Sequence, residues 1–379
     1  MVWQVKKLSD ICTDIFAGGD VPKDRLSKFK TEEYSIPIYS NGEKDKGLYG
    51  YTDVARVVEP SITVSARGTI GYSEVRREPF LPVVRLIVLI PNPEIIELEY
   101  LKYVLKGMDF GNSGTSIPQL TVPMIKGYQC ELPPIPEQKR IVAILDQSFA
   151  DIDKARALTE QNLKNARELF ESYLQQVFSL RGEGWKETTI GDSCEFSNGK
   201  AHEKSIDEDG SYIVVNSKFI STEGAVEKRT GDLMHPLYKD DIAMVMSDVP
   251  GGKALAKCFV VPEDNLYSLN QRICSIKSNE FFTRFLYYQL NRNPYLLAYD
   301  NKGSQANLRK GEILSCPLFV PSLDEQKEIA ERLDSAMDFC RALEAVYLNK
   351  LESLDKLKQS LLQKAFTGEL IKVNKEAAA

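Results

Sequence analysis

Apolar residues follow two alternating patterns along the chain. Residues 1–132 and 183–320 carry short runs rich in Val and Ile that are bounded by Gly or Pro, such as 61–72 and 211–220. Runs of this kind predict short β-strands separated by turns. Each of these two regions is followed by a long stretch that lacks the bounding Gly and Pro residues. The pattern of strands and turns therefore occurs twice in the chain.

The two long stretches, residues 136–178 and 322–367, contain neither Gly nor Pro after Pro136. In the second stretch, apolar side chains recur at alternating steps of four and three residues, and the first stretch carries a looser version of this stripe. This spacing predicts long helices with a coiled-coil seam. The predicted seam comprises Ile329, Leu333, Ala336, Cys340, Leu343, Tyr347, Leu354, Leu357 and Leu361. We expect the helices to pack on each other within the chain, the alternatives being a domain linker or an oligomerisation coil.

The start of the first helix returns 188 residues later. Residues 133–146 and 321–334 are identical at seven of 14 positions: Pro133/Pro321, Glu137/Glu325, Gln138/Gln326, Lys139/Lys327, Ile141/Ile329, Leu145/Leu333 and Asp146/Asp334. A period this long exceeds the roughly 20–50 residues of a solenoid repeat and indicates a duplicated domain. The globular regions also correspond at anchors such as Val83-Val-Arg85 and Asn270-Gln-Arg272. The chain is therefore predicted to carry two divergent globular heads on one shared frame.

The amino-acid composition limits the kinds of binding partner and the cellular location that we expect for the protein. The 379 residues carry a net charge of -6, which argues mildly against a nucleic-acid partner but does not exclude a basic face. No apolar run approaches the roughly 18 residues of a membrane span. We expect a cytoplasmic protein without a membrane partner. The seven cysteines form no CxxC pair and there are only two histidines, so no metal site is predicted.

Motifs that carry catalysis are incomplete in this sequence. The segment from Ser247 to Lys253 ends like a phosphate-binding loop but lacks its first Gly, and Ala254 replaces the Ser or Thr that would hold magnesium. Asn293-Pro294-Tyr295 is similar to the tetrapeptide with which amino-methyltransferases hold a target base, but the second proline is missing. The chain is therefore predicted not to be an enzyme.

Two different heads on a paired-helix frame suit an elongated ligand such as duplex DNA, with one half-site for each head. At residues 133–141 and 321–329, and at Leu362–Leu370, the chain resembles the specificity subunit of Type I restriction–modification systems. The resemblance covers nearly the whole chain. It implies an α+β multidomain fold in which two long helices pack as an antiparallel coiled coil and separate two mixed α/β target recognition domains. Internal pseudo-twofold symmetry is expected.

The resemblance also implies domain boundaries. They are a first target recognition domain at 1–132, a conserved spacer helix at 133–180, a second target recognition domain at 181–320, a second spacer helix at 321–370 and a tail at 371–379. The heads would read a bipartite, asymmetric target in double-stranded DNA. The helices would dock two methylation subunits, and restriction subunits would join them. S-adenosylmethionine, ATP and Mg²⁺ would be bound by those partners and not by this chain.

Base reading requires polar or cationic side chains on loops that reach base edges. The candidates in the first head are Ser40, Asn41, Arg67, Ser116 and Gln119. Those in the second head are Asn216, Ser217, Lys218, Lys253, Asn270, Gln271, Arg272, Ser304, Gln305 and Asn307. Arg85 and Arg272 occupy matching places, which also fits an ion pair common to both cores.

Candidates for subunit docking or helix pairing are Glu137, Gln138, Lys139, Ile141, Leu145, Phe178, Glu325, Gln326, Lys327, Ile329, Leu333 and Phe366. Two other functions remain open. The chain could be a scaffold whose heads bind proteins, or a self-sufficient DNA methyltransferase, although the missing cofactor loop argues against the latter.

Overall fold

The computed structural model describes residues 3–110, 119–249, 253–300 and 306–370. The chain divides into two compact units. Unit 1 comprises Met1–Asn162 and Tyr347–Ala379, and unit 2 comprises Leu163–Val346. Each unit therefore contains a globular part, called head 1 (residues 3–132) or head 2 (residues 181–320), together with parts of both long helices.

Head 1 is built from short strands and short helices. Its strands are β1 (Gln4–Lys7), β2 (Cys12–Ala17), β3 (Ile36–Tyr39), β4 (Leu48–Thr52), β5 (Ser61–Val64), β6 (Ser73–Arg76), β7 (Leu81–Pro82), β8 (Ile87–Pro91) and β9 (Gln129–Leu132). Its helices are α1 (Leu8–Ile11), α2 (Leu98–Gly107) and α3 (Val122–Gly127), and a short 3-10 turn covers Lys44–Gly47. The strands form sheets in the orders β2-β8-β5-β6, β4-β3-β7 and β1-β9.

Head 2 repeats this plan. Its strands are β10 (Lys186–Thr189), β11 (Glu195–Asn198), β12 (Tyr212–Val215), β13 (Arg229–Thr230), β14 (Ile242–Val245), β15 (Ser247–Asp248), β16 (Cys258–Val260), β17 (Tyr267–Leu269), β18 (Ile273–Lys277), β19 (Ala306–Asn307) and β20 (Pro317–Val320). Its helices are α5 (Ile190–Ser193), α6 (Ser217–Ser221), α7 (Thr283–Leu290), α8 (Pro294–Leu297) and α9 (Lys310–Leu314). The sheet orders β11-β18-β14-β16, β13-β12-β17 and β10-β20 match those of head 1, and β15 pairs with β19 in addition.

The long helices are α4 (Ile135–Ser179) and α10 (Leu323–Phe366). Within unit 1, Asp153 accepts a hydrogen bond from Lys358 (2.9 Å), and Arg156 bonds to Asp355 three residues earlier on α10. Numbers rise along α4 as they fall along α10, so the helices run antiparallel there. Unit 2 shows the same direction, because Arg167 donates to Glu344 (3.0 Å) and Tyr173 accepts from Arg332 (3.3 Å).

A buried glutamine fixes each head to the start of the helix that follows it. Gln138 accepts a hydrogen bond from the Glu97 N–H (2.8 Å) and donates to the carbonyls of Pro133 (2.8 Å) and Ile95 (3.0 Å). Its counterpart Gln326 accepts from the N–H of Phe282 (2.7 Å) and donates to the carbonyls of Pro321 (3.1 Å) and Glu280 (3.3 Å). Both side chains are fully buried. The repeated proline and glutamine thus form the same clamp twice.

Other repeated positions complete this junction. Ile141 and Leu145 are fully buried in the core that head 1 shares with the helices, and Leu333 of α10 is fully buried as well. Asp146 accepts a hydrogen bond from the Tyr103 hydroxyl of α2, as Asp334 does from the Tyr288 hydroxyl of α7. In the same units, Phe366 packs edge-on against Tyr100, and Phe178 packs against Phe285. Each head therefore rests on the start of one long helix and the end of the other, and the predicted fold class is confirmed.

Candidate nucleic-acid interface

Three loops of head 1 meet beside the ends of β3 and β5 and before β8. The Asn41 side-chain amide donates to the Val84 carbonyl (2.6 Å), and its oxygen accepts from the Ala66 N–H (2.9 Å). The Gly42 N–H donates to the Ser65 hydroxyl (3.1 Å). We give the name rim 1 to the surface that these three loops, residues 40–42, 65–67 and 83–85, form together with residue 119 of a fourth segment. Asn41 acts within it mainly as a structural bridge.

A fourth segment joins rim 1 at Gln119. The Leu120 N–H donates to the Ala66 carbonyl (2.8 Å), and the Arg85 guanidinium donates to the Gln119 side-chain oxygen (3.3 Å). Arg67 is exposed at the same rim. The structure thus brings together four of the five candidates of head 1, namely Ser40, Asn41, Arg67 and Gln119. The fifth, Ser116, lies outside the described residues.

Head 2 assembles an equivalent surface. The Asn270 N–H donates to the Val215 carbonyl (3.1 Å), and the Met246 N–H donates to the Arg272 carbonyl (3.0 Å). The Leu308 N–H donates to the carbonyl of Met246 (2.8 Å). We call residues 215–218, 246–248, 270–272 and 306–307 rim 2. It contains the candidates Asn216, Ser217, Lys218, Asn270, Gln271, Arg272 and Asn307.

Several polar groups of rim 2 are occupied within the head. The Asn216 side chain caps α6 by accepting from the Phe219 N–H (2.9 Å). Asn270 accepts from the Arg272 N–H (3.3 Å), and Gln271 donates to Glu203 (2.7 Å). Ser217 donates to the Ser247 carbonyl at the longer distance of 3.4 Å. Lys218 and Arg272 are exposed cations of rim 2, and the candidate Lys253 is exposed but is not part of rim 2. The candidates Ser304 and Gln305 lie outside the described residues.

The two rims share one backbone frame. The Val83 N–H donates to the Tyr39 carbonyl (2.8 Å) as Asn270 does to Val215, and the Leu120–Ala66 bond of rim 1 corresponds to the Leu308–Met246 bond of rim 2. Where the backbone at residue 18 passes close to the backbone at Pro82, this frame requires glycine. A Cβ atom on Gly18 would lie 2.7 Å from the Pro82 carbonyl carbon. Its counterpart Gly199 would meet Asn270 at 2.1 Å.

Arg85 and Arg272 are both exposed on these rims. The interpretation that they form an ion pair common to both cores is therefore wrong. Sequence reasoning did not select Arg85 as a site residue, although its alignment with Arg272 was the available signal.

The incomplete catalytic motifs have structural roles. Ser247 and Asp248 form β15, and Asp248 accepts hydrogen bonds from the N–H groups of Val249 (2.8 Å) and Ala254 (2.6 Å). Asn293 caps α8 by accepting from the Tyr295 N–H (2.8 Å), and its amide donates to the Gln289 carbonyl (2.7 Å). Both polar groups of Asn293 are thus bonded to the backbone, as in an ordinary helix cap.

Titratable groups that serve catalysis elsewhere are structural in the described part of the chain. His202 is buried between the Lys200 carbonyl (2.8 Å) and the Ser268 hydroxyl (2.7 Å). Burial, with the nearby Lys200 ammonium group, lowers the pKa of His235. Burial raises the pKa of the Cys274 thiol to about 12, which leaves it unreactive. The described residues contain no group of three or more His, Cys, Asp or Glu side chains that could hold a metal ion.

The docking and helix-pair candidates divide by exposure. Gln138, Gln326, Ile141, Leu145 and Leu333 are fully buried. Half-buried side chains are Glu137, Phe178, Glu325, Ile329 and Phe366, whereas Lys139 and Lys327 are exposed. Glu325 accepts a hydrogen bond from the Trp185 indole (2.8 Å). Of the seven identical positions, only the lysine is exposed in both copies and in reach of another molecule without rearrangement.

Other apolar side chains of the long helices face solvent. In unit 1 these include Leu158 (66% exposed) and Leu357 (48%), and in unit 2 Leu169 (49%) and Val346 (58%). Leu158 and Val346 are separated by the 188-residue repeat spacing, as are Leu169 and Leu357. The predicted seam position of Leu357 is therefore wrong, although the neighbouring seam positions Leu354 and Leu361 are half-buried as predicted.

Comparison with known proteins identifies the family. Residues 2–162 and 182–353 match the family described as Type I restriction modification DNA specificity domain. The chain belongs to this family, which confirms the resemblance seen in the sequence. It is a specificity protein and not an enzyme.

Relatives and solved structures agree. The specificity subunit of the StySPI Type I restriction enzyme of Salmonella potsdam is 24% identical over 97% of this chain and 89% of its own length. Two proteins of Mycoplasma pneumoniae named as type I specificity subunits are 41% and 36% identical over 39% and 44% of this chain. The matched parts are 40% and 50% of those proteins' lengths.

The fold resembles that of the HsdS subunit from Thermoanaerobacter tengcongensis, with a TM-score of 0.62 at 18% identity over 97% of each chain. A chain from a structure of Type I restriction–modification complex assembly gives a TM-score of 0.78 at 17% identity, covering 97% of this chain and 98% of that one. None of the described helices combines the length and apolarity that a membrane crossing requires.

Proposed function

We propose that this chain is the DNA-recognition subunit of a Type I restriction–modification complex, and that each head reads one half of a bipartite target. The observation that carries the proposal is the equivalence of the two rims. Equivalent backbone hydrogen bonds form both rims, and both rims carry polar side chains on their loops. Loops on a rigid scaffold are where binding residues concentrate.

The side chains on this common frame differ between the heads, which favours an asymmetric target. Rim 1 carries Arg67 where rim 2 carries Ser247, and Gln119 stands where rim 2 carries Asn307. An arginine side chain can only donate hydrogen bonds, whereas a serine hydroxyl both donates and accepts, so equivalent positions of the two rims carry different hydrogen-bonding groups. Two heads with different donors and acceptors therefore suit two different half-sites.

The long helices are proposed to dock two methylation subunits. The exposed apolar positions of α4 and α10 recur at the repeat spacing, and so do the exposed Lys139 and Lys327. Two equivalent surfaces suit two copies of one partner. Restriction subunits would join this assembly. S-adenosylmethionine, ATP and Mg²⁺ would be bound by these partners, where methyl transfer, translocation and cleavage take place.

Partner subunits would also account for the modest charge of the heads. Affinity for duplex DNA depends largely on lysine and arginine contacts to phosphates. The chain has a net charge of -6, so much of the phosphate contact would come from the partners. DNA binding should therefore be measured with the methylation subunit present.

The test is an exchange of head 2, residues 181–320, for the head of another specificity subunit. The hybrid, reconstituted with the methylation subunit, should methylate a motif in which one half-site has changed and the other has not. A change in both half-sites would contradict the modular assignment. If the parent complex bound bipartite and shuffled DNA equally well, the alternative of a protein-binding scaffold would be favoured.

A further inference from the structure

Two consecutive residues of rim 1 have an unusual backbone conformation. Val84 has a φ of +48° and Arg85 a φ of +62°. Positive φ is uncommon outside glycine, and it is a genuine outlier for a β-branched residue such as valine. The equivalent residues of rim 2, Gln271 and Arg272, are not among the positive-φ residues. Strain of this kind persists only where surrounding contacts hold it, and it clusters at functional sites.

Contacts on both sides of Val84 hold this turn. The Val84 N–H donates to the Gly19 carbonyl (2.9 Å), and the Val84 carbonyl accepts from the Asn41 side chain (2.6 Å). Asn41 is itself fixed by the Ala66 N–H (2.9 Å). As a result the Val84 side chain is 47% exposed, and Arg85 follows it on the exposed face of rim 1. The hydrogen bonds on both sides of Val84 hold the backbone of this turn, and the Arg85 side chain lies in solvent next to it.

The other arginines of head 1 differ from Arg85 in their contacts. Arg25 and Arg77 form ion pairs with Asp53 and Glu99. Arg56 lies over the ring of Phe16, and Arg76 is buried over that of Tyr39. Within the part of the chain that the structure describes, Arg85 has no carboxylate at ion-pair distance, and its guanidinium bonds to the neutral Gln119 oxygen (3.3 Å).

Arg67 is the other exposed arginine of rim 1, and its surroundings differ. It precedes Gly68, which has a φ of +76°, and no described side chain orients its guanidinium. A flexible arginine suits a phosphate, which accepts contact from many directions. The Arg85 guanidinium, in contrast, is held through one nitrogen by Gln119 on an exposed residue. A guanidinium restrained in this way suits a planar pair of acceptors.

We propose that Arg85 reads a guanine in the half-site of head 1, donating to its O6 and N7 atoms in the major groove. This is the pairing for which arginine geometry is best suited. Gln119 and Asn41 are positioning residues, the former through the Arg85 side chain and the latter through the strained turn. The inference rests on the proposed function and names the residue that gives head 1 its base preference.

The test uses the full chain reconstituted with its methylation subunit. Competition binding compares the bipartite target with DNA carrying single base-pair changes at every half-site position. Arg85→Ala should lower affinity for the target by roughly 5- to 150-fold and remove the preference for one G·C pair in the half-site of head 1. Affinity for shuffled DNA and the preferences of head 2 should stay unchanged. Arg77→Ala, which removes an exposed arginine of the same head from an ion pair, is the matched control and should alter no base preference.

Val84→Gly tests whether the turn positions the Arg85 side chain, separately from any effect on the stability of the fold. Glycine adopts positive φ without strain, and this relief offsets the larger conformational entropy that glycine loses on folding, so the melting temperature should change little. Discrimination at the G·C pair should nevertheless fall, because the turn loses rigidity. Unchanged discrimination would show that the strained turn does not position Arg85.

A different result for Arg85→Ala would overturn the inference. If target and shuffled DNA lost affinity equally, and the slope of log affinity against log salt fell by about one, Arg85 would be a phosphate contact. If exchange of head 1 changed a half-site but Arg85→Ala did not affect discrimination, only this inference would fail. If head exchange changed no half-site, the proposed function itself would be contradicted.

Discussion

The buried glutamine clamps provide the sharpest stability prediction. Gln138→Ala would remove three hydrogen bonds and leave the Glu97 N–H and the carbonyls of Ile95 and Pro133 without that partner. A buried donor left unsatisfied costs about 1–3 kcal/mol, and each lost carbonyl bond about 0.5–1.5 kcal/mol. Because the two carbonyls can recover some solvation, we expect a total loss of about 2–4 kcal/mol in the free energy of unfolding of unit 1.

For a unit of about 200 residues, this loss corresponds to a fall in melting temperature of roughly 4–16 °C. Calorimetry on the full chain measures the fall, and amide hydrogen exchange locates it. Exchange should accelerate in α2 and at the start of α4. The equivalent Gln326→Ala should affect α7 and the start of α10 instead. Lys139→Ala, one position from Gln138 but exposed, is the control and should change stability by less than about 0.5 kcal/mol.

The reasoning would be refuted if Gln138→Ala shifted the melting temperature no more than Lys139→Ala. The same conclusion would follow if hydrogen exchange rose in unit 2 as much as in unit 1. Either result would mean that the repeated glutamine does not fix the head to its helix.

Two further predictions concern the helices. Burial alone would raise the pKa of Asp334, but hydrogen bonds from Arg284 and Tyr288 outweigh it and lower that pKa. The stabilisation is therefore present above the unfolded pKa, about 3.9, and is lost as pH falls through the lower folded value. Tyr288→Phe should accordingly lower the melting temperature more at pH 7 than at pH 2; an equal effect at both would contradict the sign. Leu158→Asp and Val346→Asp should each weaken binding of one methylation subunit in sedimentation experiments and leave thermal stability unchanged, whereas full binding by the double variant would exclude this surface.

The helices and the duplication could be predicted from the sequence because their signals are local or repeated. Long stretches without Gly or Pro predicted α4 and α10, and the Ser322 hydroxyl accepts from the Glu325 N–H (3.4 Å) as expected for a cap at the start of α10. The 188-residue repeat indicated the positions that later proved to join heads and helices. It could not reveal that Gln138 binds backbone groups of the head, because those partners lie some 40 residues away in the chain.

The rims were predicted only in part. Polar loop residues such as Asn41 and Asn216 were selected by residue type, but the structure gives both of them backbone partners. Residue type does not distinguish a side chain that supports a loop from one that reads a base. Arg85 was missed because its exposure depends on a positive-φ turn that non-local contacts impose on Val84, and no sequence pattern encodes such a turn.

The most direct test of the central claim is a map of N6-methyladenine in the source organism, with and without this gene. Methylation should disappear at one motif that is split into two different half-sites and should persist elsewhere. If the methylation subunit were expressed and no split motif lost its methylation, the assignment of the two heads as readers of a bipartite DNA target would be contradicted.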